Sequence, residues 1–290
     1  MKIRLIKPVV LIVLGVIIST SGHAQAPIEK SVFWKISGNG LEAPSHLFGT
    51  IHIVCVDDFE LSNEVVETMK KSEKFILELD MDDPKLTSKM QRLMVSAEMR
   101  NIQDDLSEED IATLNAFLRA NFGQGLAQIG VLKPFALSAM VTFKAFECET
   151  KQYETEIVSK AIEFEKEIEG LETIDFQMSL LDGFSREMQI DALMKQVKNP
   201  EATALVLNQI VEAYKLQDLS RMQALFDQYE DYEGFNEKML YERNEKWIPN
   251  IEKYAKEGKT FIAVGAGHLA GDKGLISLLR ARGYTLTPVK

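Results

Sequence analysis

Apolar residues alternate with polar ones near both ends of the chain and recur with a helical period between them. Val32 to Ile36 and His46 to Ile51 read as two strands around the glycine-rich turn Ser37-Gly38-Asn39-Gly40. A short helix from Ser62 to Ser72 leads into a third strand, Phe75 to Asp80. Its period places Phe75, Leu77 and Leu79 on one face and Ile76, Glu78 and Asp80 on the other.

The middle is predicted to be helical. In Leu106-Ser107-Glu108-Glu109-Asp110-Ile111, Ser107 caps a helix, Asp110 stands at the reciprocal position and Leu106 meets Ile111. Ile111, Leu114 and Leu118 continue its apolar face. Pro134 opens a further helix through Phe146, a charged amphipathic stretch runs from Glu154 to Glu167, and residues 176–248 read as several more helices. Glu163 to Glu169 reads most simply as a solvated helix face, and Glu167 to Leu171 also carries an apparent strand start. Met90, Met94 and Met99 are core or groove filler.

Alternating strand and helix units return with the apolar strand Thr260 to Val264, followed by the turn Gly265 to His268 and a helix from about Asp272 to Arg282. That helix buries Leu275, Leu278 and Leu279 and stops at Gly283, before a closing strand from Tyr284 to Val289. The expected fold is therefore a compound α/β class. Strands from the N- and C-terminal parts form the core, and a mainly helical insertion occupies about residues 85–250 of a single domain, 25–290.

Residues 1–24 read as a secretory signal: Lys2, Arg4 and Lys7 precede the apolar run Val9 to Ile18, and Gly22-His23-Ala24 is a small-residue exit. Export is expected, to the periplasm of a Gram-negative cell or otherwise to the medium. The run is too short for a stable membrane span. Losing this segment removes three positive charges, taking the formal net charge from -11 to -14. Such acidity argues against nucleic acid and anionic membrane as partners. Cys55 and Cys148 are the two cysteines. Export permits a disulfide, but their spacing carries no framework signal, and two buried thiols are the simpler reading.

The candidate chemistry lies in two glycine–histidine motifs of equal spacing, Gly49-Thr50-Ile51-His52 and Gly265-Ala266-Gly267-His268, each closing an apolar run. Either alone is most simply a strand cap at a turn. Together they suggest one site built from both ends of the chain, at strand ends where open α/β sheets place ligands. Glu78 near the end of another strand would add a carboxylate, completing an inventory common to hydrolytic metal sites. Glu172 is a second candidate carboxylate, equally well explained as a solvated turn. Arg243 could clamp a carboxylate or oxyanion, or form a surface salt bridge. His46 lacks a glycine context and reads as structural.

His46-Leu47-Phe48-Gly49-Thr50-Ile51-His52, Leu77-Glu78-Leu79-Asp80, Gly170-Leu171-Glu172-Thr173, Glu242-Arg243-Asn244 with Trp247, and Ala263-Val264-Gly265-Ala266-Gly267-His268-Leu269 follow one another in an order that closely resembles the TraB/PrgY/GumN family. Leu278-Leu279-Arg280-Ala281-Arg282-Gly283-Tyr284 extends the likeness, which runs roughly from Trp34 to Val289. The Tiki metalloproteases are related to this family. The resemblance implies a compound α/β fold with both Gly-x-x-His motifs and an early Glu at the site. Tiki-like members are metal-dependent proteases that use manganese or cobalt and trim a secreted signalling protein. Residue by residue, His52, His268 and Glu78 match the family's site positions, and Arg243 and Asn244 its Arg-Asn motif. One departure is Gln152-Tyr153-Glu154, where members usually carry a Gly before a valine–acid pair. Distant relatives include erythromycin esterase-like hydrolases and haem-binding lipoproteins.

The resulting expectation is a metal-dependent hydrolase acting on a peptide or protein. His52, His268 and Glu78 would hold manganese, cobalt or zinc, with His52, Glu78 and Arg243 in catalysis. The alternatives are a metal-independent esterase-like hydrolase, and a non-catalytic protein that sequesters a peptide, a small molecule or haem.

Overall fold

Both ends of the chain contribute to one sheet in the computed structural model, which describes residues 29–230 and 233–289. The expected signal segment, 1–24, lies outside the described residues. The strands are β1 Phe33–Gly38, β2 Ser45–Thr50, β3 Val54–Cys55, β4 Lys74–Leu77, β5 Thr150–Lys151, β6 Glu167–Gly170, β7 Thr260–Gly265 and β8 Tyr284–Pro288. Among the described residues, six of them form a sheet in the order β6-β4-β7-β2-β1-β8, and β3 pairs with β5 in a small ribbon. β6, β4, β7 and β2 run parallel, while β1 is antiparallel to both β2 and β8.

The parallel centre explains why the alternation expected from Phe75 to Asp80 does not separate core from solvent. Phe75 and Ile76 point to opposite faces and both are fully buried, as are Phe261 and Ile262 opposite them. Parallel strands are covered on both faces, so both sets of side chains leave water. β4 ends at Leu77, and Glu78 stands just past the sheet.

Phe33, Phe48, Phe75 and Phe261 pack at centroid separations of 5.4–6.3 Å in the core beneath that edge. Burying such a side chain contributes roughly 1.5–3 kcal/mol.

The middle is helical, and it also supplies β6 to the main sheet. The run Glu163 to Glu169 is not one helix face: the helix Tyr153–Glu163 stops, Glu165 adopts φ 54°, and the chain enters the edge strand β6. Lys74 pairs with Glu169, and Tyr254 donates to the same carboxylate at 2.6 Å, so charge blunts this edge. A separate apolar cluster joins Leu114 and Leu118 to Leu137 and Leu193. Ser107 caps its helix by accepting from the Asp110 amide at 3.1 Å, and the Asp110 carboxylate turns to Lys198.

Three smaller expectations are revised. The last helix buries Leu275, Ile276 and Leu279 while Leu278 is only partly buried, because the sheet covers a face one residue away from the assumed one. Met99 is 63% exposed, although Met90 packs beside Leu86. Cys55 and Cys148 form a disulfide across the β3–β5 ribbon, with Cα atoms 5.6 Å apart. Pairing of strands distant in sequence brings them together, which spacing could not reveal. Among the described residues, no helix is long and apolar enough to cross a membrane.

Candidate active site

Four parallel strands end on one edge of the sheet, and the residues just beyond them are Glu172 after β6, Glu78 after β4, His268 after β7 and His52 after β2. The two glycine–histidine turns lie side by side because Gly49 pairs with Val264 and Thr50 with Gly265. A side chain at Gly49 would be crowded. Its Cβ would fall 2.9 Å from Leu269 Cδ2 and 3.1 Å from the Cα of Ala266, inside the second turn. The first glycine thus lets the two turns pack closely.

Gly265 has a different use. A Cβ there would stand 3.5 Å from Glu78 Oε1, 3.7 Å from His268 Cδ2 and 3.9 Å from His52 Nε2. These three side chains, from three strand ends, therefore surround one small space. The Gly265 amide donates to Glu78 Oε1 at 2.9 Å and aims that carboxylate.

Arg243 is the hub of the buried side of the site. It lies one residue into the helix Glu242–Glu257, after a π-helical turn over Glu237–Tyr241, and is 4% exposed. Nε donates to Glu172 at 3.0 and 3.2 Å, and Nη2 donates to Glu172 Oε1 at 2.8 Å and to Glu78 Oε2. Nη1 donates to the Met239 carbonyl at 2.8 Å and to His268 Nε2 at 3.2 Å. Trp247, one turn on, donates from Nε1 to Glu172 Oε2 at 2.8 Å; its ring lies 4.4 Å from the His268 ring and 4.6 Å from the guanidinium. The surface salt bridge considered for Arg243 and the solvated turn considered for Glu172 are both set aside by this burial.

Each imidazole is oriented at Nδ1. Asn244 donates its amide nitrogen to the carbonyls of His268 and Lys273, which leaves its oxygen to accept from His268 Nδ1–H at 2.7 Å. Since a guanidinium only donates, His268 Nε2 carries the lone pair. Burial, reinforced by the charges of Arg243 and His52 and only partly opposed by Glu78, lowers the His268 pKa to about 3, so the ring is neutral. His52 Nδ1 meets Glu154 Oε1 at 3.0 Å, and Thr50 Oγ1 donates to the same oxygen at 2.7 Å.

Burial lowers the His52 pKa, but the Glu154 hydrogen bond and the charges of Glu154 and Glu78 outweigh it and raise it to about 9. Its side chain is 70% exposed, so solvent screening weakens this pull. Burial raises the Glu78 pKa, yet Arg243, then His268 and His52, hold it well below the usual carboxylate range. Burial raises the Glu172 pKa, and Arg243 offsets this only in part.

All four expected site residues, His52, Glu78, Arg243 and His268, thus gather here, together with the alternative carboxylate Glu172. Glu154 was missed. Its signal was the acid in Gln152-Tyr153-Glu154, but that residue also opened an amphipathic stretch dense in glutamate. Gln177, whose amide lies 3.4 Å from Glu78 Oε2, left no sequence signal. His46 stacks on Phe33 at 5.4 Å, away from this edge.

Two neutral-capable imidazoles and a carboxylate are a donor set suited to manganese, cobalt or zinc. Nδ1 of each imidazole meets a side-chain oxygen, the arrangement that presents Nε2 to a cation. The space around Gly265 would receive it, so the residues fit. They are not drawn into a ready cage: among the described residues no group of three or more His, Cys, Asp or Glu is arranged to hold an ion. Glu78 Oε1 and His268 Nε2 are 3.8 Å apart, and Arg243 occupies the imidazole lone pair.

A parallel-centred sheet with two glycine–histidine turns and an acid at adjacent strand ends defines a class of α/β protein with one composite polar site. The chain matches the TraB/PrgY/gumN family over residues 32–288 and belongs to it. No curated protein and no solved structure matches it.

Proposed function

We propose that this protein is an exported metal-dependent hydrolase acting on a peptide or protein. The observation that carries the reading is the convergence of His52 Nε2, Glu78 Oε1 and the His268 ring around Gly265. His52 Nε2, Glu78 Oε1 and His268 Nε2 would hold the ion, which when bound supplies water acidified to near-neutral pKa and polarises a carbonyl.

The chain's own groups do the rest. His52 would serve as a ligand in its neutral form, its Nε2 proton lost to solvent, and Glu154, in contact with Nδ1, keeps its ring in place. Arg243 releases one donor, the Nη1–H now on His268, and that donor faces the oxygen on which negative charge develops. Its bonds to Glu172, Glu78 and Met239 hold the guanidinium still meanwhile.

Gly265→Ala is the discriminating variant. Its backbone, φ -52° and ψ 135°, suits alanine, and the added methyl makes ordinary contacts of 3.5–3.9 Å while filling the shared space. Manganese, cobalt and zinc uptake is measured for wild type, Gly265→Ala and His52→Ala, followed by mass spectrometry of a peptide mixture. One tight equivalent in wild type, weakened at least tenfold in Gly265→Ala with unchanged circular dichroism, is expected, with peptide fragments appearing only in the loaded wild type. Absence of specific uptake by the wild type would refute the metal reading.

A further inference from the structure

The two imidazoles are secured by different means. His268 is buried among Trp247, Asn244 and Arg243, whereas His52 is exposed and held at Nδ1 by Glu154, 102 residues away in sequence. What keeps Glu154 opposite His52 lies just beyond them. β3 starts two residues after His52, and β5 ends three residues before Glu154. The ribbon pairs Val54 with Lys151 and Cys55 with Thr150, and the Val56 amide donates to the Glu149 carbonyl at 2.9 Å. Strands of two residues are too short to hold their own register in water. The Cys55–Cys148 bond closes this ribbon covalently.

We propose that the Cys55–Cys148 disulfide is a positioning element for His52, acting through the β3–β5 ribbon and Glu154, so that a dithiol reductant releases His52 from the converging donors. The inference rests on the reading of His52 as a site imidazole. In the reductive step the dithiol supplies two electrons and two protons. The S–S bond breaks, two cysteine thiols form and the reductant closes to its own disulfide.

The loosening is local. Tyr153, 2% exposed, accepts from the Glu60 amide at 3.2 Å and donates to the Glu60 carbonyl at 3.0 Å. Its ring packs 4.5 Å from Phe59. The start of the Tyr153–Glu163 helix therefore stays attached when the crosslink opens, and the ribbon between it and His52 gains freedom.

The test compares the full chain oxidised, reduced with dithiothreitol that is then removed under nitrogen, and as Cys55→Ser/Cys148→Ser and Glu154→Gln. Imidazole nitrogen–proton spectra, assigned by single histidine substitutions, report each ring, and manganese affinity is read by paramagnetic resonance of the free ion. Signals of His52 alone are expected to move toward those of a solvated imidazole in the reduced, double-serine and Glu154→Gln proteins. His268 and His46 serve as internal standards and stay put. Manganese binding weakens at least tenfold, as for loss of other outer-sphere partners of ligating histidines.

Unchanged His52 signals in the reduced protein, or in Glu154→Gln with the disulfide intact, would overturn the inference. So would loss of circular dichroism on reduction, since the role assigned is local. Failure of the oxidised wild type to bind manganese, cobalt or zinc would instead sink the metal-dependent hydrolase reading, while the His52 spectra would still decide this one.

Discussion

Replacing Arg243 by leucine should be the most destabilising single change at the site. The guanidinium is 4% exposed and lies between Glu172, at 3% side-chain exposure, and Glu78, at 14%. Leucine fills part of the volume but leaves two carboxylates with little solvent and no counter-charge. Breaking a buried ion pair by removing one partner costs about 3–5 kcal/mol. Trp247 continues to donate to Glu172 and the Gly265 amide to Glu78, which argues for that range rather than twice it. For a chain of this size the loss corresponds to a fall in Tm of about 10 °C.

The pH dependence gives the cause. The wild-type Glu78 pKa is depressed, so its ion pair stabilises the fold above the unfolded carboxylate pKa and ceases to do so as pH falls through the folded value. Burial without the arginine raises both carboxylate pKa values in the variant, and acid then neutralises them. The gap between wild type and Arg243→Leu should therefore be widest near pH 7 and close toward pH 4. Arg243→Leu/Glu172→Gln should recover part of the loss, because the amide removes one stranded charge. Urea titrations at a series of pH values check this. A penalty below about 1 kcal/mol at pH 7, or one that does not change with pH, would refute the account of Arg243 as buried counter-charge.

Three further outcomes are expected. Burial, then the charge of Lys35, lowers the His46 pKa from 6.5 to about 4. The unfolded chain therefore binds the extra proton first, and stability falls by up to about 3 kcal/mol between pH 6.5 and 4. His46→Gln should flatten that part of the curve, and an unaltered acid limb would contradict it. Gly49→Ala should cost about 1–3 kcal/mol by urea unfolding, since its methyl meets the Ala266 backbone, whereas Gly265→Ala stays within about 1 kcal/mol. Equal effects would show that the two glycines do not serve the different purposes assigned to them. Reducing the disulfide, which links residues 93 apart, should lower stability by up to about 4 kcal/mol, read as a shift in urea midpoint; an unmoved midpoint would contradict it.

Much of this protein was legible along the chain. The strand segments of the main sheet, the cap at Ser107, the helix start at Pro134, and the histidines behind Gly49 and Gly265 are local features. Hydrophobic period, turn chemistry and motif spacing act over a few residues, and their marks survive in one dimension. Glu78, an acid at the close of an apolar strand, stood out only beside the two histidines; alone it read better as a solvated edge-strand carboxylate.

Tertiary structure decided which of these residues meet. The β6-β4-β7-β2 order brings the ends of four strands to one edge, and nothing in any single strand states its neighbours. Glu172 and Arg243 each had an equally good surface explanation until burial placed them together, because a carboxylate or guanidinium looks the same in sequence whether water or an opposite charge surrounds it. Glu154 and the Cys55–Cys148 bond were hidden for a related reason: contacts across about a hundred residues are made by chain topology, which local pattern does not encode.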